Sequence, residues 1–269
     1  MEYCDLHNHS TFSDGTCSPK ELVDLAIASG LKAIALTDHN SLGGIDDFIQ
    51  AAKDKLEVCP GCEFTTAYKG QELHLLGLFL DKADISKLKG ALDTQINRKI
   101  QSNKDTIERL AKAGYDVSCE EFIDYSGPGS KNRVHISRYL VSKGIISEVQ
   151  EGFKTLLSKS AGYYVEGEKL DFLEMIKLIN EAGGVSVWAH PLFNVDRDTC
   201  EKIMIDAKNQ GLDGVEVLYS TYTDEDTEFM INLSEKYNIL KKIMNLVKND
   251  NFWLIQDGNG FFVKVTPSE

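Results

Sequence analysis

The stretch SPKELVDLAIASGLKAIALTDHN, residues 18–40, predicts a helix followed directly by a buried strand. Ser18 is placed to cap the helix, Pro19 occupies its first position, and Glu21 completes a capping box. Gly30 marks the end of the helix, and the apolar run LKAIAL after it is typical of a strand that is buried on both faces. The stretch is therefore one unit of a parallel α/β fold.

The same alternation continues outward from this unit, stops, and resumes. SLGGIDDFIQAAKDK (residues 41–55) predicts a second helix, LEVCPGCEF (56–64) a third strand, and QELHLLGLFL (71–80) an additional strand. Residues 84–161 are more polar and predict several helices, which we interpret as an inserted helical subdomain. Helices and strands alternate again after residue 162. We therefore expect an α/β domain that is interrupted by a helical insertion.

Composition narrows the classes of partner. The formal net charge of −13 argues against sequence-independent binding to a nucleic-acid backbone, so we expect no strong binding to duplex nucleic acid. It does not exclude a small anionic substrate, because bound cations dominate the local field. No secretory signal and no membrane-spanning stretch is recognisable, so we expect a cytoplasmic protein without a membrane partner. The CPGC motif at Cys59–Cys62 is interpreted as packed side chains, because a zinc site would need a second pair.

Metal-capable side chains recur where the predicted strands end. His7 and His9 are two residues apart on an extended segment, so their side chains share one face. The carboxyl ends of parallel strands form the rim on which barrel active sites are built, and this predicts a metal site there. Glu216 fits either a carboxylate that supports a ligand or a structural one. The further residues at predicted strand ends are Asp38, His39, Glu63 and His190.

Six further motifs are specific enough to compare with known families: DLHNHSTFSDGTCSP (5–19), AIALTDHNSLGG (33–44), GCEFTT (61–66), HLLGLFL (74–80), NRVHISRYLV (132–141) and VWAHP (187–191). Together they resemble the PHP (polymerase and histidinol phosphatase) family, in particular its stand-alone metal-dependent phosphoesterases. The resemblance implies a distorted (β/α)7-type barrel formed by residues 1–83 and 162–240, with the helical insertion at 84–161. Residues 241–269 predict an atypical C-terminal helix and hairpin.

The resemblance also implies two to three divalent metal sites, with manganese, iron or zinc as the cation. The first metal would be held by His7, His9 and Glu63, and the second by Asp14 and His39. Glu63 would bridge to a third metal, which His74 and His190 would hold. Arg133 and His135 would face the substrate phosphate, and Asp38 would orient a metal ligand.

The function that the resemblance implies is hydrolysis of a small phosphorylated substrate by a metal-activated water. A nucleoside 3′,5′-bisphosphate or a short oligoribonucleotide is the expected substrate. One alternative is a degenerate or truncated member that binds metal and phosphate without turnover, and another is a histidinol-phosphate phosphatase. The sequence does not decide whether the protein forms a homo-oligomer.

The C-terminal part departs from the family pattern. The family ends in a G-S-D-x-H type motif that supplies an aspartate and a histidine to the metals, but this chain has no histidine after His190. Asp257 could replace the aspartate, although its DGNG context favours a turn. Three explanations stay open: a working but depleted site, binding without turnover, or ligands supplied by a second subunit.

Overall fold

A computed structural model of the protein describes residues 4–80, 84–127 and 131–239, together with the backbone of two short C-terminal strands. Its centre is a curled, half-barrel sheet of seven strands in the order β1-β2-β3-β4-β6-β7, with β5 paired to β3. The α/β prediction is confirmed. The strands are β1 (Cys4–Asp5), β2 (Ala33–Leu36), β3 (Glu57–Tyr68), β4 (Gln71–Leu78), β5 (Leu170–Asp171), β6 (Val185–Ala189) and β7 (Gly214–Val215).

Strand direction decides which residues reach the same rim. β1, β2 and β3 run parallel, β4 runs antiparallel to both β3 and β6, and β6 and β7 are again parallel. Because β4 is reversed, its first half lies beside the last half of β3 and the end of β6. His74 accordingly pairs with Thr65 on one side and Ala189 on the other.

The prediction that Glu63 ends its strand is wrong. β3 continues to Tyr68 and returns as β4 through a two-residue turn, in which Lys69 has φ of 49° and Gly70 has φ of 84°. Two positive φ values are typical of the type I′ turn that matches the twist of a β-hairpin. Glu63 therefore lies in the middle of a 12-residue strand rather than at its end.

The helix predicted to follow Ser18 begins at its expected cap. The first helix, α1 (Pro19–Ala28), has Ser18 as its N-cap in a complete capping box with Glu21. A buried hydrophobic cluster that includes Phe64, Phe172 and Trp188 packs the sheet against the later helices. The other helices of this part are α2 (Ile45–Ala52), α7 (Phe172–Ala182), α8 (Pro191–Asn194), α9 (Arg197–Gln210) and α10 (Asp224–Tyr237).

The chain between β4 and β5 is helical and has a hydrophobic cluster of its own. Its buried members include Ile107, Phe122, Ile136 and Leu140. A helical insertion at 84–161 remains a proposal, and this separate cluster supports it. The helices are α3 (Ser86–Lys112), α4 (Cys119–Ser126), α5 (Arg133–Ser142) and α6 (Val149–Lys154), followed by a 3-10 helix (Lys159–Ala161).

Two further predictions concern the C-terminal part of the chain and the CPGC motif. The helix expected after residue 241 and Asp257 lie outside the described residues, whereas β8 (Phe252–Leu254) and β9 (Val263–Val265) pair antiparallel. Cys59 and Cys62 lie on β3 as buried thiols that form no disulfide within the described residues, and burial raises the pKa of the Cys62 thiol far above its ordinary value. Within the described ranges, the helices are too short or too polar to cross a bilayer.

Candidate metal centre and substrate cavity

The carboxylate of Glu63 lies at the centre of five imidazole rings. It is 1% exposed, and each of its oxygens faces more than one ring. Oε2 lies 3.2 Å from His7 Nε2, 3.1 Å from His9 Nε2 and 3.2 Å from His39 Nδ1. Oε1 lies 2.8 Å from His74 Nδ1 and 3.0 Å from His190 Nε2. The structure therefore brings six of the seven predicted metal ligands to one point.

The five rings reach Glu63 from four strands: two follow β1, and one each comes from β2, β4 and β6. His7 and His9 follow β1 and share a face, and His39 follows β2 and forms a parallel bridge with Glu63. His74 comes from the reversed strand β4. His190 follows β6 with φ of 29°, a left-handed conformation that a non-glycine residue rarely adopts. Backbone strain of this kind is typical of functional sites, where the surrounding structure holds it in place.

Three overlapping groups of donor atoms could each hold a metal ion, with the atoms of each group within 4.8 Å of one another. Asp14, the seventh predicted ligand, lies 3.5 Å from His39 Nε2 and 3.8 Å from His9 Nδ1. His9 could thus provide a third donor beside Asp14 and His39, whereas the family resemblance assigns His9 to the first metal. The groups are His7, His9 and Glu63; His9, Asp14 and His39; and His39, Glu63 and His74.

The donor set fits a divalent cation better than it fits a closed hydrogen-bond network. Nδ1 of His190 is buried without a hydrogen-bond partner among the described residues, and so is Nδ1 of His39, whose 3.2 Å approach to Glu63 Oε2 does not have hydrogen-bond geometry. An unpaired buried polar atom is costly in a finished protein interior. Neutral imidazoles with carboxylates are ligands that zinc, iron and manganese accept. The residues present therefore suit divalent metal binding.

The pKa shifts within the cluster also favour metal binding. Burial acts to raise the pKa of Glu63, but the imidazoles around it, with His39 first, hold it well below its ordinary value. Burial lowers the pKa of His39 to about 4. Burial also opposes the charge on His74, yet Glu63 and then Glu72 raise its pKa to about 9. The cluster thus contains an ionised carboxylate together with at least one imidazole that stays neutral at pH 7.

Glu216 fixes the orientation of two of these histidines. Its carboxylate is 1% exposed; Oε1 lies 3.0 Å from His7 Nδ1, and Oε2 accepts the backbone N–H of His190. When the His7 ring is neutral and its Nδ1 donates to Glu216, the lone pair of Nε2 is directed toward the cluster. The sequence left open whether Glu216 orients a metal ligand or is purely structural, and these contacts favour the first interpretation.

Asp38 contacts the chain between two ligands rather than the ring of His39. Its carboxylate accepts hydrogen bonds from Ser10 N at 2.7 Å, Ser10 Oγ at 2.6 Å and Ser13 Oγ at 2.6 Å. These bonds hold the turn that joins His9 to Asp14. Asp38 therefore positions the loop that carries two predicted ligands, through serines that the sequence did not single out.

The candidate ligands around Glu63 are called the metal cluster below. A cavity of about 840 Å³ opens above them, and helices of the 84–161 segment form part of its wall. Arg133, at the start of α5, places its guanidinium carbon 4.2 Å from the centre of the Tyr164 ring. Lys99 of α3 donates from Nζ to the hydroxyl of Tyr164 at 3.1 Å. Two cations are thus held side by side by one tyrosine. The wall also includes Lys131, Lys159 and Lys169.

The structure separates His135 from Arg133. His135 is 8% exposed, its Nδ1 accepts the backbone N–H of Asn132 at 3.2 Å, and it lines a second, smaller cavity beside Ser13. Successive helical residues are rotated by about 100°, so residues two apart point to nearly opposite sides of a helix. The expected contact of His135 with the substrate phosphate therefore has no geometric support, whereas that of Arg133 has.

Asn132 links the helical segment to the metal cluster, a role that sequence reasoning missed. Its side-chain oxygen caps α5 by accepting from Val134 N at 3.0 Å, while Nδ2 donates to Asp14 Oδ2 at 2.8 Å. Arg138 donates to the backbone oxygen of Asp14 at 3.1 Å. An asparagine just before a predicted helix is a recognisable N-cap, but its link across 118 positions of sequence is not.

Comparison with known proteins places this arrangement in a class. A 5′-3′ exoribonuclease of Haemophilus influenzae is 32% identical over 237 residues, which cover 87% of this chain and 86% of the relative. A 3′,5′-nucleoside bisphosphate phosphatase of Chromobacterium violaceum is 28% identical over 84% of this chain and 80% of its own length. A solved structure from Bifidobacterium adolescentis, described as a candidate metal-dependent phosphoesterase, superposes with a TM-score of 0.79 at 25% identity, covering 88% of this chain and 84% of that one.

The fold, the cluster of candidate metal ligands and these relatives together define a metal-dependent phosphoric ester hydrolase. The sequence model of the PHP domain matches residues 5–169. The chain belongs to the PHP family, as its motifs predict.

Proposed function

We propose that this protein hydrolyses a phosphoester bond in a nucleoside 3′,5′-bisphosphate or a short oligoribonucleotide. The observation that carries this proposal is that the metal cluster and the cation pair of Lys99 and Arg133 line the same cavity. A phosphoester held there would have cations on its phosphate from two directions. Two relatives whose names specify an exoribonuclease and a nucleoside bisphosphate phosphatase support the choice of substrate class.

We further propose that the metal ligands are His7, His9, Asp14, His39, Glu63, His74 and His190. Divalent cations bound there supply an activated water and neutralise charge on the phosphoryl oxygens. His9 is close enough to Asp14 and His39 to act as their third protein donor. A neutral imidazole offers one lone pair, so His9 cannot complete this site and the site of His7 and Glu63 at the same time. Whether manganese, iron or zinc is the native cation is decided by metal analysis of the purified protein.

The side chains of the cavity wall have separable tasks. The guanidinium of Arg133 presents planar donors that match two phosphate oxygens, and Lys99 adds a second positive charge. Tyr164 holds both cations, and although its burial opposes this, Lys99 and then Arg133 lower the pKa of its phenol. Lys169 is already paired with Glu72 at 3.0 Å, so it contributes less free charge to a ligand. Arg133 and Lys99 are therefore the proposed phosphate-binding pair.

A phosphate-release screen tests the proposed function. The protein is loaded with Mn²⁺ and offered nucleoside 3′,5′-bisphosphates, short oligoribonucleotides and histidinol phosphate; release of phosphate or mononucleotides from the first two groups is expected. Preferential turnover of histidinol phosphate would contradict the substrate class. If nothing is hydrolysed while nucleotides raise the melting temperature, the chain binds nucleotides without turnover.

A further inference from the structure

We infer that Phe193 and Tyr219 form an aromatic platform that stacks against the base of the nucleotide substrate. This inference rests on the proposed function, and it assigns the part of the cavity that the metal ligands and the phosphate-binding pair leave unexplained. Both residues line the same cavity as the metal cluster, but they follow β6 and β7 rather than belonging to the helical segment.

Phe193 is exposed in an unusual place. Its side chain is 61% exposed, although a large hydrophobic residue on a folded protein is normally covered. The other large hydrophobic residues with comparable exposure lie elsewhere; over the described ranges, Phe193 alone among them lines the main cavity. An exposed apolar ring inside a ligand cavity, rather than on an outer helix face, is typical of a binding contact.

The backbone around Phe193 is held firmly, so its exposure is built into the fold. Phe193 N donates to the carbonyl of His190 at 3.0 Å, across the left-handed turn that starts α8. The neighbouring Leu192 N donates to the hydroxyl of Tyr222 at 2.8 Å. At the far end of α8, Gln71 Nε2 donates to the carbonyl of Asn194 at 3.0 Å. A ring presented by a fixed backbone loses less entropy when a ligand packs on it.

The two rings stand next to the metal cluster. The ring centre of Phe193 lies 5.6 Å from that of His190, and the ring centre of Tyr219 lies 4.9 Å from it. Phe193 and Tyr219 are 6.1 Å apart and meet edge to face at 72°. A substrate whose phosphate is held at the cluster would bring its organic part within reach of these rings.

The chemistry of the two walls selects an amphipathic ligand. The helical segment offers Lys99 and Arg133, which suit phosphate, whereas Phe193 and Tyr219 offer apolar faces, which suit an aromatic base. The cavity volume of about 840 Å³ is within the range of small-molecule sites and exceeds the need of a lone phosphate group. Every nucleobase has a flat face, so a platform of this kind binds nucleotides with little base preference.

Removing the ring tests the inference with two substrates that differ only in the base. Phe193→Ala and Phe193→Trp are compared with the unchanged protein on adenosine 3′,5′-bisphosphate and on its abasic counterpart, in which hydrogen replaces the adenine. Loss of a base–aromatic stack predicts a fall in kcat/KM of about 5- to 20-fold on the adenosine substrate, mainly through KM. The abasic substrate should be unaffected, and Phe193→Trp should retain most of the activity.

A matched control separates the ring from general surface effects. Ile123, on α4, is 66% exposed and lines neither cavity, so Ile123→Ala should leave both substrates unchanged. An equal loss on both substrates, or no loss on either, would overturn the inference. If the unchanged protein hydrolyses neither substrate, the proposed function fails by itself. The platform is then tested by measuring the calorimetric Kd of adenosine 3′,5′-bisphosphate and of its abasic counterpart. The unchanged protein should bind the adenosine compound more tightly, whereas Phe193→Ala should bind the two with similar Kd values.

Discussion

Replacing Glu216 with Gln tests whether this buried carboxylate holds the metal centre in shape. In the folded protein the Glu216 carboxylate makes two hydrogen bonds, one with His7 Nδ1 at 3.0 Å and one with the backbone N–H of His190. Gln keeps the shape but offers one acceptor oxygen, so one of the two donors must face an amide N–H instead. The change therefore removes a charge-assisted bond and leaves a buried donor unpaired.

The magnitude follows from these two contacts. A hydrogen bond to a charged group contributes about 1.5–3 kcal/mol, so the metal-free Glu216→Gln protein should lose about that much unfolding free energy. Groups that orient metal ligands typically change metal affinity about 10- to 100-fold when they are replaced. We therefore expect Mn²⁺ or Zn²⁺ to bind Glu216→Gln about 10- to 100-fold more weakly. Titration in chelator-buffered metal measures the affinity, and urea unfolding of the metal-free protein measures the stability.

Asp213→Asn is the matched control for this experiment. Asp213 is also buried, lies just before β7, and accepts hydrogen bonds from the backbone and hydroxyl of Ser186 rather than from a ligand. It should lose comparable stability while binding metal normally. An unchanged metal affinity in Glu216→Gln, or an equal loss of affinity in Asp213→Asn, would refute the argument that Glu216 acts through His7.

Three further outcomes are expected. Arg133→Ala should raise KM by an amount equivalent to about 1.5–3 kcal/mol and leave metal content unchanged, since its guanidinium contacts Tyr164 and not the cluster; a fall in metal content by elemental analysis would contradict this. Chelation should lower the melting temperature, and Mn²⁺ should restore it, because metal binds only the folded site; a chelator-insensitive melting temperature would count against the site. Burial lowers the pKa of His135 to about 4, so the folded protein favours the neutral ring and loses about 3 kcal/mol of unfolding free energy as the pH falls from 6.5 through 4. Urea unfolding should show that the unfolding free energy of His135→Gln falls less steeply over this acidic range, and an identical pH dependence would contradict the assignment.

The sequence predicts those features of the fold and the site that depend on short-range patterns or on the ends of parallel strands. The capping box of Ser18 and Glu21 predicts the start of α1 because its bonds join residues three apart. The recurrence of histidines after β1, β2 and β6 predicts the cluster because parallel strands end at one rim. The reversed direction of β4 went unrecognised, although Lys69 and Gly70 between two alternating strands are a hairpin pattern. Tertiary pairs such as Lys99 with Tyr164 leave no local trace, since 65 positions of sequence separate the two residues.

The motif NRVH, residues 132–135, shows why a resemblance locates a site more reliably than it assigns each side chain. The resemblance implies phosphate contacts for both Arg133 and His135, yet the two point apart because they are two positions apart on one helix. Asn132, which precedes the helix, bonds Asp14 directly, and His135 accepts the backbone N–H of that same asparagine. His135 therefore acts on the cluster by fixing the residue that holds Asp14, while Arg133 faces the cavity. The N-terminus of α5 carries both Asn132, which bonds Asp14, and Arg133, which faces the cavity. A shift of this helix end would therefore move Asp14, a proposed metal ligand, and Arg133, a proposed phosphate-binding residue, together. The helical segment is thus joined to the candidate metal site through Asn132 and Asp14, in addition to lining the cavity.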